Sequence, residues 1–320
     1  MKFTILIICT LSCVIFSLFI GTVDLSFIDV LKALLGRGTD TNNIIIRELR
    51  LPRSLTGAVI GAGLGASGAA LQGYTRNPLA APGILGFTAC AALGAVIALY
   101  FGFYKWIPLA ALSGTAIGAF LILKISGNRK SASTLILAGV GVSALATALT
   151  GLTMNFSPNP WALSEMVYWL MGSLSDSQFV DLLICAPLTI IGIIMLTLIG
   201  PDLKTLSLGE ETAVSLGVSL GRLRAILIIG TALCVGSGVA IAGAIGFIGL
   251  FIPHIIRLIF GSDPIKLIPL SAISGAGFLV FADIISRYLT GPGTQLYLGI
   301  LTSLIGVPFF LYLAIKETKV

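Results

Sequence analysis

The sequence Ala225-Ile-Leu-Ile-Ile-Gly-Thr-Ala-Leu-Cys-Val-Gly-Ser-Gly-Val-Ala-Ile-Ala-Gly-Ala-Ile245 decides the class of fold, because its 21 residues include no charged side chain. An α-helix crosses the hydrocarbon core of a membrane with about 20 consecutive, mostly apolar residues. The whole composition agrees: of 320 residues, 57% are hydrophobic and 10% are charged, whereas soluble domains contain about 25% charged residues. The sequence therefore predicts an integral membrane protein and excludes a soluble domain.

Comparable apolar segments recur along the chain and predict an all-α, polytopic membrane protein with about ten transmembrane helices in one domain, residues 1–320. The first segment is long for a signal peptide and lacks a small-residue cleavage pattern, so it is interpreted as a transmembrane helix. A short amphipathic helix is predicted over 24–35. The predicted spans are 3–21, a segment from residue 46, 84–102, 106–125, 134–154, 182–200, 225–245, 249–260, 267–288 and 296–315.

The distribution of positive charge predicts the orientation in the membrane. With a cytoplasmic N-terminus and ten spans, both termini are cytoplasmic, and twelve of the 19 Lys and Arg residues lie inside. Cytoplasmic loops of membrane proteins carry such an excess of positive charge. Four arginines at the start of the second span run against the rule and remain unexplained by charge bias alone. They are Arg37, Arg47, Arg50 and Arg53.

Motifs for catalysis are absent from the sequence. It contains neither GxxxxGK[ST] nor HExxH, and His254 is its one histidine, which is better explained as a packed residue than as a ligand. The five cysteines have no CxxC spacing, so no metal site is expected. Asp283 is the clearest carboxylate within a span, and Arg287 lies four residues later, the spacing of an ion pair on one helix face. An ion-coupled secondary transporter, the alternative class, would need several such groups.

Two polar segments interrupt the apolar pattern. Residues 71–86 place an Asn-Pro turn between two glycine-rich helices. Residues 201–224 form the longest strongly polar stretch, where a cap at Ser207 or Gly209 and two following glutamates predict a short exposed helix, with a second turn near 218–222. An exposed helix needs a partner to cover its apolar side chains, and a cytoplasmic subunit would do so. These side chains are Leu206, Leu208, Val214 and Leu216.

Five groups of motifs, in order along nearly the whole chain, carry a family resemblance. They are Arg50-Leu-Pro-Arg53; Leu71-Gln72 with Arg76-Asn-Pro-Leu-Ala80 and Ile84-Leu-Gly86; Leu208-Gly-Glu210 with Ser215-Leu-Gly217; Gly246-Phe-Ile-Gly-Leu250 with Pro253-His-Ile-Ile-Arg257; and Leu304-Ile-Gly-Val-Pro-Phe-Phe310. Together they resemble the FecCD permease family of ABC importers for ferric siderophores, haem and vitamin B12. One departure concerns Gln295-Leu-Tyr-Leu-Gly299, where the family usually has Glu-Leu-Pro-Val-Gly.

The resemblance implies a type II ABC importer permease in the bacterial cell membrane, surrounded by lipid, and not an enzyme. Such a subunit forms a dimer, either with a second copy or with a paralogue, around a translocation path. It binds two cytoplasmic ATPase subunits, which hold ATP and Mg²⁺, so no cofactor is expected on this chain. It receives substrate from an extracytoplasmic binding protein, and no nucleic acid is involved. A ferric siderophore is the favoured substrate, with haem or vitamin B12 as alternatives.

The resemblance also implies roles for three groups of residues. A coupling helix from Leu206 to Gly217, within the segment 201–224, would dock into the ATPase. Three arginines would form the dock for the binding protein, and residues of the Asn-Pro loop and before span five would form the cytoplasmic gate. The coupling residues are Leu206, Leu208, Gly209, Glu210, Glu211, Ala213, Leu216 and Gly217; the docking residues are Arg50, Arg53 and Arg287; the gate residues are Asn77, Leu79, Ala132 and Ser133.

Overall fold

The computed structural model describes residues 2–127, 132–290 and 296–317, and over these ranges the chain is helical without strands. The predicted all-α fold is therefore confirmed. The ten longest helices correspond one by one to the predicted spans. They are α1 (Lys2–Ser17), α4 (Leu51–Thr75), α5 (Phe87–Tyr100), α6 (Ile107–Ser126), α7 (Ala132–Asn155), α9 (Phe179–Leu198), α12 (Leu220–Ala242), α13 (Ile248–Phe260), α14 (Pro264–Leu289) and α15 (Leu298–Glu317).

Shorter helices lie between these spans. The predicted amphipathic helix is confirmed as α2 (Phe27–Leu34), which begins after the N-cap Ser26. The others are α3 (Asp40–Asn43), α8 (Pro160–Leu170), α10 (Gly200–Leu206) and α11 (Glu210–Ser215), with a π-helical turn at Ile44–Arg50 and 3₁₀ turns at Pro82–Leu85 and Tyr104–Trp106.

The predicted spans differ in length and fall into a longer and a shorter group, so the number of ten transmembrane helices is approximate. Six segments of the described chain are long and apolar enough to cross a membrane by length and composition: Asp40–Thr75, Tyr104–Ser126, Ala132–Asn155, Phe179–Leu198, Leu220–Ala242 and Pro264–Leu289. Four other apolar helices, α1, α5, α13 and the described apolar part of α15, are shorter.

Two predicted boundaries are wrong. The second span begins at Asp40 rather than near residue 46, because α3, the π-helical turn and α4 are continuous. The π-helical turn precedes Pro52, which has no N–H to donate to the regular helical ladder. The seventh span begins at Leu220 rather than at Ala225, and the turn predicted near 218–222 is its first turn. Charged residues at this end interrupt the apolar pattern, so the pattern did not show that the helix begins here.

Helix α4 lies at the centre of the bundle and packs against α14, α9, α13 and α12. Its glycines allow the close approach: a Cβ atom added at Gly65 would lie 2.8 Å from the carbonyl carbon of Ser271, and one at Gly61 would lie 2.8 Å from that of Gly275. Both obstacles are backbone atoms of α14. The small-residue stripe therefore serves helix packing, as in other membrane proteins.

Candidate functional site

The three predicted docking arginines meet at one end of the bundle, called here the arginine end. Asp283 of α14 is buried between two of them. Arg53 donates from Nε and Nη2 to the Asp283 carboxylate at 3.0 and 2.7 Å, and Arg287 Nε lies 3.1 Å from the second carboxylate oxygen. The predicted pair of Asp283 with Arg287 is confirmed, and Arg53 is an additional partner from another helix.

Arg50 and Arg287 also bind the end of α1. Arg287 Nη1 donates to the carbonyls of Ser17 and Ile20, each at 2.9 Å, and Arg50 Nη1 donates to that of Leu18 at 2.9 Å. Carbonyls at a helix C-terminus have no partner within the helix, so the guanidinium groups supply the missing donors. The two arginines thereby tie α1 to α4 and α14.

The arginines are consequently much less exposed than charges on an open surface. Arg50 is 5% exposed, Arg287 is largely buried, and the Arg53 side chain keeps 18% of its surface exposed. All three nevertheless line a cavity of about 280 Å³ together with Val23 and Ser286. Their role in docking stays a prediction.

At the other end of the bundle, called the α10–α11 end, the predicted short helix is confirmed as α11, and Gly209, one of the two predicted caps, is its N-cap. The coupling segment from Leu206 to Gly217 is not one helix, because Leu206 ends α10 and Gly209, with a φ of +113°, interrupts the helical path before α11. Gly217, with a φ of +92°, ends the second helix. Glycine is the residue that adopts such angles at little cost. Glu210 and Glu211 occupy the first turn of α11, as predicted.

The apolar side chains of this segment divide into a buried and an exposed set. Leu206 and Ala213 are buried against the bundle, so the predicted exposure of Leu206 is wrong. Leu208 and Leu216 are 65% and 64% exposed, and Val214 is exposed as well. Leu208, Val214 and Leu216 form what is called here the apolar edge. Because α11 is anchored through Ala213, this edge is held in a defined position.

The Asn-Pro loop follows α4 at the same end. Arg76 is the C-cap of α4 in the left-handed conformation, and Asn77 Oδ1 accepts a hydrogen bond from the Leu79 N–H at 2.9 Å. The loop meets α7 at Gly139, where an added Cβ atom would lie 2.6 Å from the Ile84 carbonyl oxygen. Ala132 and Ser133 begin α7 more than one turn away from this contact. The predicted gate thus combines the Asn-Pro loop with the start of α7. The loop does contact α7, but the contact that the structure describes lies farther along the helix, at Gly139.

Two arginines that sequence reasoning did not assign hold the end of α4. Arg257 of α13 donates from Nη2 to Gln72 Oε1 at 2.8 Å, and Arg224 of α12 donates from Nε to the Tyr74 hydroxyl at 2.9 Å. The sequence did contain a signal for these contacts, because each arginine lies beside an apolar run and near a helix end. Such residues are costly to bury unless paired, so their position points to specific acceptors.

The position at which the sequence departs from the motif that it resembles makes an aromatic contact at the arginine end. Tyr297, at the place where the resemblance predicts proline, stacks on Tyr168 of α8 with ring centroids 5.8 Å apart. Tyr104 donates to Glu165 Oε2 at 2.9 Å in the same cavity of about 460 Å³. Burial raises the pKa of Tyr297 above its usual range. Gln295 lies outside the described residues.

Comparison with known proteins identifies the family. The profile of the FecCD transport family matches residues 6–316. The chain belongs to the FecCD transport family. It is therefore a multi-pass transport permease, and the resemblance in its motifs is confirmed.

Relatives in the FecCD family differ in their named substrates. The chain is 39% identical to the cobalamin import permease BtuC of Halobacterium salinarum, over 86% of this chain and 74% of the relative. It is 37% identical to the hemin transport permease HmuU of Yersinia pestis (88% and 87% covered). It is 35% identical to the Fe(3+)-citrate import permease YfmD of Bacillus subtilis (94% and 90% covered).

A solved structure agrees with the fold of this FecCD family member. A metal-chelate type ABC transporter chain in an inward-facing conformation superposes with a TM-score of 0.87 and 34% identity, covering 98% of each chain. The predicted type II importer permease fold is thereby confirmed.

Proposed function

We propose that this chain is the transmembrane subunit of an ABC importer that moves ferric siderophores into the cytoplasm by alternating access. Separate ATPase subunits would bind and hydrolyse ATP with Mg²⁺, and the permease itself would carry no hydrolytic chemistry. The observation that carries the proposal is the apolar edge of the α10–α11 end, which is exposed although its supporting side chains are buried. Membership in the FecCD family supports the same assignment.

The apolar edge fits a cytoplasmic ATPase as its partner. The edge lies in and directly beside the short helix α11 rather than in a span, so lipid need not cover it. Helix α10 packs against α14 and α4, and Leu203 lies beside Gly73 near the end of α4. A force applied to α11 therefore has a short, packed route into the central helix pair. We therefore propose that the α10–α11 end faces the cytoplasm, with both termini on that side, and that two permease chains face two ATPases.

The arginine cavity fits an acidic group from an extracytoplasmic binding protein. Three guanidinium groups face one internal carboxylate, which leaves the cavity with excess positive charge. Arg53 is the most accessible of the three, so it is the arginine expected to meet the partner first.

The loop from Asn77 to Gly86 reads Asn-Pro-Leu-Ala-Ala-Pro-Gly-Ile-Leu-Gly, which resembles the loop of siderophore permeases, and on this resemblance we favour a ferric siderophore over haem or vitamin B12. The relatives include cobalamin, hemin and Fe(3+)-citrate permeases at similar identity, so haem and vitamin B12 stay alternatives. An ion-coupled mechanism is disfavoured, because Asp283 is already held by two arginines and is poorly placed for a proton relay.

The test is reconstitution of the chain with its ATPase and binding protein in liposomes. We expect uptake of a ferric hydroxamate siderophore, compared with haemin and cyanocobalamin, to require hydrolysable ATP inside and to persist after an ionophore dissipates ion gradients. Replacing Leu208 and Leu216 by serine should abolish stimulated hydrolysis, whereas Leu183→Ser on the exposed face of α9 should not. Uptake that follows an ion gradient without ATP would refute the proposal.

Docking has its own test. We expect Arg53→Gln to weaken association with the binding protein several-fold and to reduce the dependence of affinity on salt, because a partly exposed charge is screened by ions. Lys105→Gln removes an exposed charge at the arginine end and serves as the control. Equal affinities for both variants and the parent protein would place the dock elsewhere.

A further inference from the structure

Arg224 is a buried cation that joins three helices at the α10–α11 end. Its side chain is 4% exposed although it lies in the second turn of α12. Nε donates to the Tyr74 hydroxyl of α4 at 2.9 Å, and Nη1 donates to the Ser126 carbonyl of α6 at 2.8 Å and to the Gly127 carbonyl. One guanidinium group thus contacts the ends of α4 and α6 simultaneously.

The chemistry of the contact requires arginine rather than another cation. The last carbonyls of α6 have no partners within the helix and sit at its negative dipole end. A guanidinium group offers several donors in a fixed planar arrangement, so it satisfies these carbonyls and still reaches the Tyr74 hydroxyl. A lysine ammonium is a point donor on a flexible stem. Lysine would keep the charge at this position but would not hold both helix ends.

The position of Arg224 in the chain links this contact to the α10–α11 end. The Val218 N–H donates to the Ala213 carbonyl at 2.9 Å, so α11 continues through a tight connection into α12. Tyr74 is two residues before Arg76, where the Asn-Pro loop leaves α4. A rotation of α11 would therefore reach the loop through one side chain.

We propose that Arg224 is the positioning residue that transmits movement of α11 to the ends of α4 and α6, and through α4 to the Asn-Pro loop. The inference rests on the proposed function, because it assigns a role within ATP-driven transport. Arg257, which holds Gln72 on the same end of α4, comes from α13, and the whole of α12 separates α13 from α11 along the chain. Arg224 lies on α12, which follows α11 directly, so it is the better placed of these two arginines to join α11 to the loop.

The first test measures the mechanical link without transport. Hydrogen exchange of the full-length permease in detergent is compared for the parent protein, Arg224→Lys and Tyr74→Phe. Both variants should raise exchange several-fold in the last turn of α4 and in the following loop. Lys266→Met, which removes an exposed cation from the start of α14 at the same end, should leave this exchange unchanged. No change in Arg224→Lys would overturn the proposal.

The second test measures coupling in the assembled complex with ATPase subunits and binding protein. We expect Arg224→Lys to keep the basal ATPase rate and to lose most of the stimulation by loaded binding protein, at least about fivefold. A decline of basal rate, stimulated rate and folded fraction in equal proportion would indicate a merely structural role and overturn the proposal. If the parent protein showed no ATP-dependent uptake, the proposed function would be refuted. The proposed link through Arg224 would still be tested by hydrogen exchange, because that measurement does not depend on transport.

Discussion

Replacing Gly65 by alanine is expected to disrupt the central contact between α4 and α14. The added Cβ atom would lie 2.8 Å from the carbonyl carbon of Ser271, whereas carbon atoms in contact are normally about 3.5–4.0 Å apart. The obstacle is backbone, so no side-chain rotation relieves it. The helices must separate locally by about 1 Å, which forfeits up to roughly half of the attraction of each contact across the gap.

This displacement sets the magnitude of the effect. Overpacking a dense core costs about 1–3 kcal/mol, and a rigid backbone obstacle places Gly65→Ala at the upper end, about 3 kcal/mol. Gly73→Ala is a matched control on the same helix, because its Cβ atom would meet Leu203 Cδ1 at 3.6 Å and Pro264 Cγ at 3.9 Å, which are ordinary contacts. Alanine is favoured over glycine within a helix by about 0.5–1 kcal/mol, so this control should be neutral or slightly stabilising.

The assay is titration with sodium dodecyl sulfate in mixed micelles, followed by circular dichroism. The free energy of unfolding should fall for Gly65→Ala and stay level or rise for Gly73→Ala. Equal losses for the two variants, or no loss for Gly65→Ala, would refute the argument that backbone approach at the glycine stripe holds α14 in place.

Other contacts lead to further predictions in the same titration. Asp283→Asn removes the carboxylate that Arg53 and Arg287 share and is expected to lower the free energy of unfolding by about 3–5 kcal/mol. Lys204→Met, which breaks the exposed pair with Asp263, should lower it by less than about 1 kcal/mol. Similar losses for the two variants would contradict the assignment of Asp283 as a buried ionic centre. A double-mutant cycle that replaces Tyr168 and Tyr297 by leucine should give a coupling energy of about 0.5–1.5 kcal/mol. A coupling of zero would show that their stacking adds nothing beyond burial.

The spans were predictable because their signal is local. A membrane helix must bury its backbone polar groups and present apolar side chains over its whole length, so sequence alone identified ten helices and the amphipathic α2. The pair of Asp283 with Arg287 was predictable for the same reason, since four residues make one turn. The cap of α11 was predictable only as one of two alternatives, Ser207 or Gly209, because glycine tolerates both helical and positive φ angles.

Contacts between distant parts of the chain escaped the sequence. Arg53 and Asp283 are 230 residues apart, and Arg224 and Tyr74 are 150 apart. No periodicity connects such positions. The burial of Arg50 was equally hidden, because its acceptors are the backbone carbonyls of Leu18 and Val23, which every residue type provides.

Helix α4 connects the arginine end with the α10–α11 end. Arg53 lies in its first turn and Tyr74 in its last, and its 25 residues span roughly 37 Å at 1.5 Å per residue. Between these ends the glycine stripe presses α4 against the backbone of α14, which also carries Asp283 and Arg287. Because these contacts involve backbone atoms, side-chain motion in the middle of α4 cannot absorb a displacement of either end of the helix. The two predicted docking surfaces are thus connected to one closely packed pair of helices, the arginine end directly and the apolar edge through α10. Coupling between the surfaces requires such an arrangement.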